Sequence, residues 1–222
     1  LEINLKELLF LKYDILFNLT IKKGCFFMRK DVKKFFSIVF FIILFLNVFV
    51  PFKVQAYSLL GGRLINGVGN YGNNRQYYWV NPNIGEGISR ADNAMSRWVN
   101  SSIYTPISFR RTTNQSAATI DVHRVPSANN AVIGTTTYHV GVGQVTYNRN
   151  WYWAKIEIRS GTYNAYGAGP RNWVFGHEFG HAMGLQHNTS DRNSVIYESY
   201  NNVNQRTYPS NDEFNGINRI YK

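Results

Sequence analysis

Eleven consecutive residues constrain this chain more than any others: His177-Glu178-Phe179-Gly180-His181-Ala182-Met183-Gly184-Leu185-Gln186-His187. On an α-helix, positions four apart project about 40° from one another, so His177 and His181 share a face and both imidazoles can point at one ion. In a helix that ran straight on, His187 would lie about 9 Å further along the axis. It can join the pair only if the chain turns back, and Gly184 is where a residue tolerant of the left-handed conformation stands. The chain has five histidines, and three fall in this window. An ordinary helix carrying core or surface histidines is therefore a poor account of it.

Three neutral imidazoles would leave one tetrahedral position open, the pattern of a catalytic rather than a structural zinc site. His177, His181 and His187 are the expected ligands of one Zn2+. Glu178 adjoins a ligand and is not itself needed on the metal. It is expected to take a proton from an attacking water and later deliver it to a leaving amine.

The N-terminal quarter reads differently. Met28-Arg29-Lys30-Asp31-Val32-Lys33-Lys34 is basic, Phe35 to Val50 is an apolar run, and Val54-Gln55-Ala56 offers small or branched residues at a cleavage site. That order is a secretory signal peptide. The run of about 16 residues is short of the roughly 20 that a spanning helix needs, which disfavours a retained anchor. Residues 1–27 precede a plausible initiator, and Lys22-Lys23-Gly24 could be a translated bacterial ribosome-binding site, so this segment is expected to be an over-extended translation. The expected organisation is 1–27 non-structural, 28–56 signal peptide and 57–222 one secreted, extracellular domain.

The full chain has 24 basic and 13 acidic residues. Residues 57–222 keep 15 and 9 of these, a net charge of about +6, so much of the basicity belongs to the leader. No nucleic-acid motif accompanies the remainder. The single cysteine, Cys25, also lies in the leader, so the domain has neither a disulfide nor a thiolate ligand. A monomer acting on a protein or peptide, with no stable membrane association after cleavage, is the expectation.

Within the domain, Gln76–Val80 is aromatic and β-branched and reads as the first strand. Ser89 and Asp92 have capping spacing, and Ile88, Ala91, Met95, Trp98 and Val99 recur on one helical face. Short alternating runs follow at 107–110, 119–125, 135–142, 144–148 and 154–159. A Gly-rich loop over 161–170 leads to a helix over 172–183 with Asn172 as its N-cap. A last helix is capped by Ser210 and Glu213, with Phe214, Ile217 and Ile220 as its apolar face. The reading is an α+β domain, a sheet with three helices.

The eleven-residue pattern resembles that of the metzincin metalloproteases, and the chain looks most like their matrixin branch, in a bacterial secreted form. The likeness is densest over Ser89–Arg110, Asn172–His187 and Ser210–Ile217. It implies a zincin-like fold, a twisted mixed sheet of about five strands over an active-site helix that ends at a Gly turn. It also implies an extended substrate along an edge strand, for which 135–148 is the candidate. Ser194-Val195-Ile196-Tyr197 resembles the turn that carries a methionine beneath the zinc, with Ile196 in its place; a volume-conserving apolar swap is tolerated best. Tyr197-Glu198-Ser199-Tyr200 resembles the stretch walling the pocket beyond the scissile bond, with Glu198 where proline is usual, and wall packing is expected for Tyr197 and Tyr200. No cysteine between Ala56 and the first strand could provide the family's propeptide latch. No motif supports structural Ca2+, and His123 and His139 lack the partners that a second metal site would need.

Two functions follow. The first is a secreted zinc endopeptidase. The alternative is a non-catalytic zinc-containing binding protein that uses Trp151, Tyr152 and Trp153 to grip a polymer; Glu178, which a purely structural site does not need, weighs against it.

Overall fold

The computed structural model describes residues 57–127, 132–200 and 206–222. Contacts divide the chain into units Leu1–Val54 and Gln55–Lys222, and every described residue belongs to the second. The segments read as an over-extended translation (1–27) and as a signal peptide (28–56), with Cys25, lie outside the described residues.

Period-two patterning builds the sheet. In β7 (Trp153–Arg159), Ala154, Ile156 and Ile158 are fully buried, while Trp153, Lys155, Glu157 and Arg159 face outward and are half-buried. Its parallel neighbour β4 (Ile120–Val125) buries Ile120 and Val122 on the same face. β2 (Gln76–Val80) runs parallel to β4 and to β3 (Phe109–Thr112). On the other side β5 (Gly134–Val140) pairs antiparallel with β7, and β6 (Gly143–Val145) antiparallel with β5. The order is β3-β2-β4-β7-β5-β6, one strand more than expected. β5 stops at Val140, short of the expected 142, because a two-residue loop with Gly141 at φ +58° turns it into β6.

Four helices are described, one more than expected. α1 (Gly87–Val99) buries Ala91, Ala94, Met95 and Trp98. It opens two residues before Ser89, whose hydroxyl donates to the Glu86 carbonyl at 2.9 Å. The Gly-rich stretch contains α2 (Ser160–Ala165), a short helix that buries Thr162 and Tyr163. α3 (Ala168–Ala182) starts four residues earlier than expected. Pro170 falls in its first turn, where a missing N–H costs little, and Asn172 accepts from Arg90 instead of capping the helix. α4 (Asn211–Tyr221) starts where the capping pair put it: the Glu213 carboxylate reaches back to the Ser210 backbone N–H. α1 and α3 pack together, and α3 lies on β5 and β7. A separate antiparallel pair joins β1 (Ser58–Leu59) to β8 (Leu185–Gln186). Among the described residues no helix is long and apolar enough to cross a membrane.

Candidate metal centre and cleft

α3 presents His177 and His181 one turn apart, and then its backbone has to stop. Gly184 donates to the His181 carbonyl at 2.9 Å and sits at φ +106°, a conformation that L side chains rarely adopt. The chain reverses into β8 and delivers His187. The carbonyls exposed at this helix end need donors, and distant elements supply them. Trp151 Nε1 donates to Ala182 O at 3.3 Å, the Tyr221 hydroxyl to Met183 O at 3.0 Å, and the Leu60 N–H to Gly184 O at 3.0 Å.

The three imidazoles converge. His177 Nε2 lies 3.0 Å from His181 Nε2 and 3.2 Å from His187 Nε2. His177 Nδ1 donates to Val195 O at 3.1 Å and His181 Nδ1 to Leu185 O at 2.8 Å. Those carbonyls fix the tautomer, leaving the Nε2 lone pairs facing one another with no proton between them. Such an arrangement is repulsive without a cation. Zn–N bonds of about 2.0–2.1 Å in tetrahedral array would separate the nitrogens by about 3.3 Å, so the donor set fits zinc. Burial, followed by the neighbouring imidazoles, holds His177 well below the ordinary histidine pKa. Burial and then His187 push His181 down to about 4. Burial lowers His187 as well, against a raising effect from Glu198. All three therefore favour the neutral, ligating form.

Glu178 is 3% exposed. Thr136 Oγ1 donates to its Oε2 at 2.7 Å. Burial pushes the carboxyl up to about 7, and the Thr136 hydrogen bond opposes that shift. β5 passes so close that a Cβ on Gly134 would lie 2.7 Å from Glu178 Oε1. β6 pairs with β5 only over Tyr138–Val140, so among the described residues Gly134–Thr137 has no strand partner on that edge. Residues 132–136 of this edge, Glu178 and the three histidines line one cleft of about 600 Å³.

A turn at 194–197 forms the floor. Ile196 is fully buried, and its Cγ2 lies 2.6 Å from where a Cβ on Gly180 would stand. Ile196 thus packs directly against the α3 backbone between the two helical histidines. Glu213, 1% exposed, accepts from Ser194 Oγ at 2.7 Å and from the Val195 N–H at 2.6 Å.

The structure therefore brings together His177, His181, His187 and Glu178, with Gly184 at the turn and Ile196 beneath. Tyr197 is buried in a bridge to Asn188, and Tyr200 lines the cleft, its ring 5.7 Å from Trp173 edge-on. Among the described residues these three histidines form the one group of three or more metal-capable side chains. His139 instead stacks on Trp153 at 4.1 Å, and His123 packs on Trp79 beside Asp121. The polymer-gripping triplet is not a platform: Trp151 is fully buried as a helix cap, and Trp153 donates from Nε1 to Gly141 O. Thr136, Trp173 and the second role of Glu213 were missed. Nothing local in the sequence marks Thr136, whereas Trp173, one turn before His177, was detectable from helical spacing.

A carboxylate beside three converging histidines is a site compatible with zinc. A matrixin peptidase family model matches residues 87–222, and the chain belongs to the matrixin family. It is 45% identical over 49 residues to human matrix metalloproteinase-27, a match covering 22% of this chain and 9% of that relative. Among solved structures it is similar to high choriolytic enzyme 1, a hatching enzyme zinc-protease of the medaka fish Oryzias latipes. That likeness is 14% identical, covers 77% of this chain and 96% of the other, and has a TM-score of 0.39.

Proposed function

We propose that this chain is a secreted zinc-dependent endopeptidase, with residues 57–222 as the catalytic domain left after cleavage at Ala56. The observation that carries the reading is the convergence of three Nε2 atoms beside a buried carboxylate, all lining one cleft. His177, His181 and His187 would hold the ion. Zinc bound there would supply Lewis acidity, lowering the pKa of water and polarising the substrate carbonyl.

The chain's own residues do the rest. Thr136 ties up Glu178 Oε2, leaving Oε1 as the freer atom to accept a proton from water and return it to the leaving amine. Burial raises this carboxyl towards the range in which it can accept a proton and give it back. The open Gly134–Thr137 edge can hydrogen-bond an extended substrate as an added strand, which holds the scissile bond over the histidines.

The test is cleavage of casein by purified Tyr57–Lys222 and its Glu178→Ala variant, each with and without a zinc chelator. Wild-type cleavage lost to chelator, restored by zinc and reduced at least 10²-fold in the variant is the expected result. A folded, zinc-loaded wild type that cleaves neither casein nor peptides would overturn it in favour of a binding protein.

A further inference from the structure

Residues 57–222 carry 15 Lys and Arg against 9 Asp and Glu, yet among the described residues the lining of the cleft contains neither lysine nor arginine. Its charged side chains other than histidine are Glu178 and Glu198. Glu178 is already occupied by Thr136 and by its place beside the histidines. Glu198 is not. It is exposed on the cleft wall, and none of the ion pairs formed among the described residues includes it.

The cleft that Glu198 lines also has aromatic walls. Tyr166, Trp173 and Tyr200 line the same cleft. Trp173 lies 4.3 Å from the His177 ring and 5.7 Å from the Tyr200 ring, and the Tyr200 hydroxyl abuts Gly169 at the start of α3. This end of the cleft is therefore in direct contact with a zinc-site histidine, so a side chain entering it belongs to a residue flanking the scissile bond. Aromatic faces attract a cation through their quadrupoles, and a carboxylate on the cleft wall attracts its charge. An acidic side chain would meet Glu198 as a like charge. A purely apolar one would fill the aromatic walls and leave Glu198 unused.

We propose that this end of the cleft is a subsite for a long basic side chain, so that the enzyme cuts beside lysine or arginine. Glu198 is the specificity-determining residue and Tyr166, Trp173 and Tyr200 are the walls. The inference rests on the endopeptidase reading for its consequence in catalysis, while the subsite itself can be measured without turnover.

The experiment uses quenched-fluorescence peptides that differ only in one residue, Lys, Arg, Leu or Glu, placed on either side of the scissile bond. At one of the two positions the kcat/KM ratio of Lys to Leu should exceed unity by roughly three- to tenfold and fall towards one in Glu198→Gln. In Glu198→Lys the Glu peptide should overtake the Lys peptide. Ratios between peptides cancel any effect of Glu198 on His187. A Lys-to-Leu ratio at or below one at both positions, or one unchanged by Glu198→Gln, overturns the subsite and leaves the protease reading intact. If no peptide is cut, anisotropy binding of the same peptides to the zinc-loaded Glu178→Ala variant decides. Tighter binding of Lys than Leu, lost in the Glu178→Ala/Glu198→Gln double variant, supports the subsite, and equal binding overturns it.

Discussion

Replacing Glu213 by alanine should loosen the metal centre without touching a residue that lines the cleft. The Glu213 carboxylate is 1% exposed and accepts from three donors: Ser194 Oγ, the Val195 N–H and the Ser210 N–H. The carbonyl of the same residue, Val195, accepts from His177 Nδ1 and so orients that ring. Alanine leaves the Ser194 and Val195 donors buried without an acceptor, each costing about 1–3 kcal/mol. The Ser210 N–H sits nearer the surface, where water can replace the lost partner at smaller cost. The expected destabilisation is about 3–5 kcal/mol, a large part of the roughly 5–15 kcal/mol that holds a domain folded. Glu213→Gln keeps one carbonyl oxygen but sets an amide against one donor, and should cost about 1–2 kcal/mol.

Urea unfolding of the zinc-loaded protein, followed by tryptophan fluorescence, measures the stability. Competition with a chromogenic chelator measures zinc affinity, which should fall at least tenfold in Glu213→Ala as His177 loses its fixed orientation. A variant within 1 kcal/mol of wild type would refute the hydrogen-bond argument. A destabilised variant with unchanged zinc affinity would refute the coupling from Glu213 through Val195 to His177.

Two further perturbations probe the same centre. Ile196→Ala removes a fully buried side chain pressed against Gly180 and should cost about 2–5 kcal/mol, whereas Ile196→Met should cost below about 1.5 kcal/mol and keep casein cleavage; both are read by urea unfolding, and equal costs would refute the packing role. Gly184→Ala places a Cβ at φ +106°, 3.0 Å from Ile220 Cδ1, and should cost about 1–3 kcal/mol while weakening zinc binding; unaltered zinc affinity in the chelator competition would show that the turn does not position His187.

What the sequence made legible was local. His177 and His181 are four apart, and Gly184 stands where a helix must end for His187 to return; each relation closes within a few residues. The alternation in 154–159 and the Ser210–Glu213 cap are local too, and the structure carries both. The start of α3 was misjudged because Asn172 has an N-cap's chemistry while Arg90, distant in sequence, claims its side chain. α2 was hidden because burial of Tyr163 against Phe175, and not helix propensity, sets that turn. Thr136 reaches Glu178 across 42 positions, and no period in the sequence encodes that distance.

The third histidine shows how far such non-local terms extend. His187 follows a helix end whose last carbonyls are satisfied by Trp151, Tyr221 and Leu60, residues from the middle and from both ends of the described domain. β1 pairs with the two residues that immediately precede His187, and Leu64 in turn donates its N–H to the Tyr221 hydroxyl at 3.1 Å. A peptide carrying only residues 168–187 would contain all three histidines and the glycine, but none of these donors. Its helix end would hydrate, and the return of His187 would have to be stabilised by the metal alone. The three histidines are written in eleven residues; their convergence is held by the whole domain.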